Sequence, residues 1–102
     1  MSKFKVIPID PGSVPPKEIS SRLRAQLVYF MSVEGEPGVP ALAEDEFWFD
    51  PSSVAQWLDD GVIYLVSPLD TANKTEVEIS EEQEEFLLWL KSNGVRHVRV
   101  VG

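Results

Sequence analysis

Residues 61–66 read GVIYLV, a glycine followed by Val62, Ile63, Tyr64, Leu65 and Val66. A run this short and this apolar predicts a β-strand buried on both faces or nearly so, because one-sided burial would leave a polar residue at alternate positions. Placed at the centre of a sheet, this strand decides the fold, since the flanking segments must then supply its neighbours. Residues 75–79, TEVEI, supply one of them. Their period of two turns Val77 and Ile79 inward and leaves Glu76 and Glu78 in water. SPLDTANK, residues 67–74, is the turn-rich connection between the two strands.

Working toward the N-terminus, DPSSVAQWLDDG at 50–61 carries full helix punctuation. Asp50 is the N-cap, Pro51 stands at the first helical position and Gly61 follows the end. Val54, Trp57 and Leu58 share one side. Further upstream, KEISSRLRAQLVYFMSVEG at 17–35 places Ile19, Leu23, Leu27, Phe30 and Met31 at helical spacing, which predicts the longest helix of the chain. Pro15 and Pro16 fit its first turn, and Gly35 its end. KFKVIPI at 3–9 alternates lysines with apolar residues and predicts a strand at a sheet margin, ended by Pro8 and DPGSVPP.

Toward the C-terminus, Ser80 and Gln83 form a capping box, Glu81 and Glu82 favour the positive end of the helix dipole, and Asn93-Gly94 stop the helix. Its stripe is Gln83, Phe86, Leu87 and Leu90, widened by Leu88 and Trp89. VRHVRVV at 95–101 is the last strand. The order is strand, helix, loop with short helix, strand, strand, helix, strand. That is βαββαβ, the ferredoxin-like order of a split βαβ unit with one helix inserted. The expected fold is α+β: a single domain over residues 1–102, with a four-stranded, largely antiparallel sheet and two main helices on one face. An open α/β or α+β sandwich with another strand order is the alternative.

The composition excludes several classes of chemistry. No cysteine means no disulfide framework, thiolate metal site or cysteine nucleophile. Seventeen carboxylates against nine Lys and Arg give a net charge of −8, which repels nucleic-acid phosphates and anionic membranes. No apolar run approaches a membrane span, and the N-terminal residues lack a signal sequence's apolar region, so the expected compartment is the cytoplasm. The Asn73-Lys74-Thr75 sequon is then a chance match. With a single histidine, His97, no histidine pair exists to hold zinc, and Asp59-Asp60-Gly61 lacks the alternating oxygens of a calcium loop. No metal and no cofactor are expected. DPGS, after the first strand, has one glycine and an aspartate where an anion would sit, which argues against a phosphate cradle. Strand pairing can bring Glu76 or Glu78 to His97, and that contact reads better as a cross-strand charge pair than as catalysis.

EDEFWFDP at 44–51 is the remaining oddity. Phe49, just before the N-cap, pairs with Val54 as a hydrophobic staple, and Phe47 points the same way two residues earlier in an extended segment. Trp48 then points to the opposite side. The loop before it, 35–46, is rich in Pro, Gly and acids, and loops of that length in compact domains are functional or mobile. The expected function is therefore a non-enzymatic interaction module. It would bind a protein partner or its own copy through Glu44, Asp45, Glu46, Phe47 and Trp48, with the outer side of TEVEI as a further contact. The alternative is a small-ligand or regulatory domain in which 35–49 is a lid over Phe47, Trp48 and Tyr64. A third reading is an enzyme built on His97 with Glu76 or Glu78.

Overall fold

The computed structural model describes residues 3–10, 12–32, 35–66 and 74–102, with residues 64–66 and 74 described by their backbone alone. The connection expected over 67–73 lies outside the described residues. The strands are β1 (Lys3–Asp10), β2 (Lys17–Ser20), β3 (Glu46–Trp48), β4 (Val62–Val66), β5 (Lys74–Glu78) and β6 (His97–Val101). The helices are α1 (Ser21–Gln26), α2 (Pro51–Asp60) and α3 (Glu81–Asn93), with a 3-10 turn at Leu27–Tyr29 after α1. Four strands form one antiparallel sheet in the order β2-β1-β6-β3, and β4 and β5 form a separate antiparallel pair.

The protein is thus α+β with a four-stranded antiparallel sheet and three helices, but its strands are not in the ferredoxin-like order. The apolar run at 62–66 is not the central strand. Both edges of β6 are already taken, by β1 on one side and by β3 on the other. Beyond β3, Ser32 forms an isolated bridge with Trp48. At the end of α2, Gly61 adopts φ +72°, a left-handed value that favours glycine, and the chain turns directly into β4. β4 accordingly pairs with β5 alone. Ile63 is buried at 2% exposure, whereas its cross-strand partner Val77, expected to point inward, is 36% exposed.

The long helix expected over 17–35 is the second correction. Lys17–Ser20 pairs with β1, and only Ser21–Gln26 is α-helical. Ser20 has extended backbone and caps α1, its hydroxyl accepting from the Leu23 amide, and so ends β2 and starts the helix. The β-branched and aromatic residues Val28, Tyr29 and Phe30 are weak helix formers, and the helix tightens into a 3-10 turn that contains the first two and ends at the third. The apolar stripe survives this change of conformation. Ile19, Leu23, Leu27 and Phe30 are all buried, and Met31 packs against the core. β1 is also flanked on both sides rather than marginal, and Pro8 lies inside it next to a register shift between Pro8 and Asp10. A proline there costs no pairing with β2, which reaches only as far as Val6.

One face of the sheet carries the core. Val6, Ile19, Phe47, Val98 and Val100 meet Leu23, Val54, Phe86, Leu87 and Leu90 from the helices, with Leu27, Phe30 and Phe49 completing the cluster. Each large apolar side chain contributes about 1.5–3 kcal/mol on full burial, so Phe30, Phe49 and Phe86, all below 2% exposure, are major holders of the fold. Phe49 and Phe86 meet edge to face at 5.5 Å, and Phe30 and Trp57 do so at 5.3 Å. The capping box of α3 is formed as read, with Ser80 and Gln83 exchanging both hydrogen bonds. On α3, Gln83, Phe86, Leu87 and Leu90 are buried and Trp89 packs at the core margin, but Leu88 is 45% exposed and does not extend the stripe.

Candidate functional site

The stretch at 44–49 becomes β3 because its period-two pattern fits the end of the sheet. Its register against β6 is Glu46 with Arg99, Phe47 with Val98 and Trp48 with His97. Alternation sends Phe47 and Phe49 into the core, at 6% and 0% exposure, and leaves Glu46 and Trp48 half-buried on the opposite face. Of the five residues expected at a contact surface, Phe47 is therefore a core residue, with the Arg24 guanidinium 4.8 Å from its ring centre. Glu44 is exposed in the turn before β3. The Asp45 carbonyl accepts from the Val100 amide at 2.9 Å, and its carboxylate pairs with Arg99 Nε at 3.3 Å.

Glu46 is the hub of this group. His97 Nε2 donates to its Oε1 at 2.9 Å and Arg99 Nη2 to its Oε2 at 3.2 Å. The bond from His97 holds the Glu46 carboxyl below its ordinary value of 4.5; desolvation opposes this, and the Ala43 amide and Arg99 reinforce it. Glu76 and Glu78, the carboxylates expected near His97, lie on β5 in the other sheet, and Glu46 takes their place. Acids at Asp45 and Glu46 opposite hydrogen-bond donors at His97 and Arg99 are the sequence signal for this pairing. It becomes readable once 46–48 is recognised as a strand.

Trp48 sits at the end of the group. Its ring centre lies 5.7 Å from that of His97 and 5.7 Å from the Arg96 guanidinium. Arg96 pairs in turn with Asp10 at 3.1 Å. Beside Trp48 is an open cleft of about 470 Å³. Its walls are Glu36, Pro37, Gly38 and Val39 of the loop, Asp50, Pro51 and Ser53 at the start of α2, and Ser32, Trp48 and Arg96. The loop wall is a type II turn: the Val39 amide donates to the Glu36 carbonyl at 3.1 Å, and Gly38, after Pro37, has φ +84°. At the other wall, Asp50 is the N-cap by position, and its carboxylate accepts from the Ser52 and Ser53 hydroxyls at 2.8 and 3.0 Å. Those hydroxyls, Ser52 first, hold Asp50 below its ordinary value.

The cleft walls include Trp48, the acids Glu36 and Asp50 and the cation Arg96, whereas His97 and Glu46 are not among them. Of the residues expected under a 35–49 lid, Phe47 is on the core side and Trp48 lines the cleft, while the Tyr64 side chain lies outside the described residues. Among the described residues no three His, Asp or Glu side chains converge as metal ligands. Among them, too, no helix is long and apolar enough to cross a membrane. No protein-family model, curated protein or solved structure matches this chain.

Proposed function

We propose that this chain is a non-enzymatic protein-interaction module that engages a partner protein, or a second copy of itself, through Trp48 and the acidic residues around it. One observation carries the reading. Trp48 stands back to back with a core phenylalanine, yet remains half-buried at the mouth of a cleft whose other walls come from the 36–39 turn and the start of α2. Tryptophan contributes large rigid area and is enriched among residues that dominate binding energy. Glu44, Asp45 and Glu46 precede Trp48 in the chain, Glu44 exposed and the other two paired with Arg99 and His97, and they supply acidic surface at β3. A smaller ligand in the same cleft is the second reading, favoured by the cleft's mixed polar and apolar walls.

The test is affinity capture from extract of the source cells with wild type beside Trp48→Ala, together with circular-dichroism melts of both. The expected outcome is a melt close to wild type and a loss of the captured partner of about tenfold or more, which corresponds to about 1.4 kcal/mol. A variant that no longer folds would make Trp48 a structural residue. Saturable quenching of wild-type fluorescence by a small metabolite, lost in Trp48→Ala, would favour the second reading.

A further inference from the structure

The cleft beside Trp48 has a chemical preference that follows from its walls. Glu36, at the exposed turn, and Asp50, at the start of α2, each bring a carboxylate to it. The hydroxyls of Ser52 and Ser53 keep Asp50 ionised and fix its orientation. Among the described lining residues the cation is Arg96, which pairs at 3.1 Å with Asp10, a residue outside the cleft walls. Pro37, Pro51 and the Trp48 ring offer apolar surface between these charges. That ring already has the Arg96 guanidinium 5.7 Å from its centre, so what it offers an incoming side chain is apolar surface for a stem. A net charge of −8 adds a long-range field of the same preference.

We propose that this cleft takes an arginine- or lysine-bearing segment of a partner protein, with the cationic head at the Glu36 and Asp50 carboxylates and the aliphatic stem along Trp48 and Pro37. Long basic side chains suit such a place because their stems are apolar and only their heads need charge or water. A phosphate-bearing or acidic ligand meets two carboxylates and is repelled. The proposal rests on the interaction reading above and narrows it to one class of partner.

The test is a fluorescence-anisotropy titration with a labelled peptide alternating glycine and arginine, beside its glycine–glutamate counterpart. Wild type should bind the arginine peptide saturably and the glutamate peptide not at all. The double variant Glu36→Gln/Asp50→Asn keeps at 50 an oxygen that can accept from the serine hydroxyls and should bind about tenfold more weakly. Glu84→Gln/Glu85→Gln removes the same charge from exposed positions on α3 and should bind like wild type. Glu36→Gln alone, on an exposed turn, should weaken binding even if the double variant melts early. Absence of saturable arginine-peptide binding overturns the proposal, and so does an equal loss in the α3 variant, which would reduce the effect to bulk acidity. A partner captured from extract that depends on Trp48 but binds Glu36→Gln/Asp50→Asn normally would sink the basic occupant and leave the interaction reading standing. A partner indifferent to Trp48 would remove that reading itself.

Discussion

Glu46 has a pH signature that separates its role from that of the exposed acids. In the folded chain its carboxyl is held below 4.5, chiefly by the bond from His97, so between that lowered value and 4.5 the unfolded chain binds more protons than the folded one. The stabilisation is therefore complete above 4.5 and is lost as pH falls through the lowered value. Urea melts of wild type and Glu46→Gln should show wild type ahead at about pH 6 and the gap closing toward about pH 3. Asp50 is lowered in the same sense, but it is present in both proteins and cancels from the comparison. A gap that stays constant with pH would show that the Glu46 charge is not what joins β3 to β6. At this scale the candidate site is partly legible from sequence. The inward Phe47 and Phe49 and outward Trp48 follow from a period of two and a staple before a helix. The partner of His97 does not, because a cross-strand neighbour depends on which strands pair, and no residue near 97 in the chain encodes that.

Among the elements, the junction of β2 and α1 is held by one serine. The Ser20 hydroxyl accepts from the Leu23 amide and donates to Glu82 Oε1 at 2.6 Å, while its amide donates to Glu82 Oε2 at 3.1 Å. One side chain thus caps α1 and ties it to the first turn of α3. Ser20→Ala should cost about 1–2 kcal/mol, lowering Tm by about 4–8 °C for each kcal/mol in a domain of this size. Ser21→Ala, at the neighbouring exposed position, should be nearly neutral in the same melt. Equal effects would mean that the link to Glu82 adds nothing. The two elements with complete local punctuation, α2 and α3, are legible because caps and glycine stops act within a few residues. The segment at 17–30 is not, since a strand followed by a short helix can place Ile19, Leu23, Leu27 and Phe30 in the core as well as one long helix can. The helical spacing identifies what is buried without identifying the conformation.

Across the whole molecule, the sheet is built by pairing that sequence order conceals. Its two inner strands, β1 and β6, come from opposite ends of the described chain, and its third partner, β3, is three residues long. The strand with the strongest local signature, β4, is instead in a two-stranded sheet. Such a pair is marginal by itself and depends on what it packs against. Ile63 and Ile79 connect this hairpin to the core, whereas residues 75–78 are all exposed. β6, by contrast, has strands on both sides and buries Val98 and Val100. Stability should therefore be uneven. Native-state hydrogen exchange should find the ladder amides of β4 and β5 opening at a lower free energy than those of β1 and β6, whose opening approaches global unfolding. Added denaturant should bring the two groups together only when global unfolding dominates exchange. Equal protection without denaturant would show that the hairpin and the four-stranded sheet unfold as one unit. In that case the packing of the hairpin, with Ile63 and Ile79 its core contacts among the described side chains, would suffice to couple it to the core.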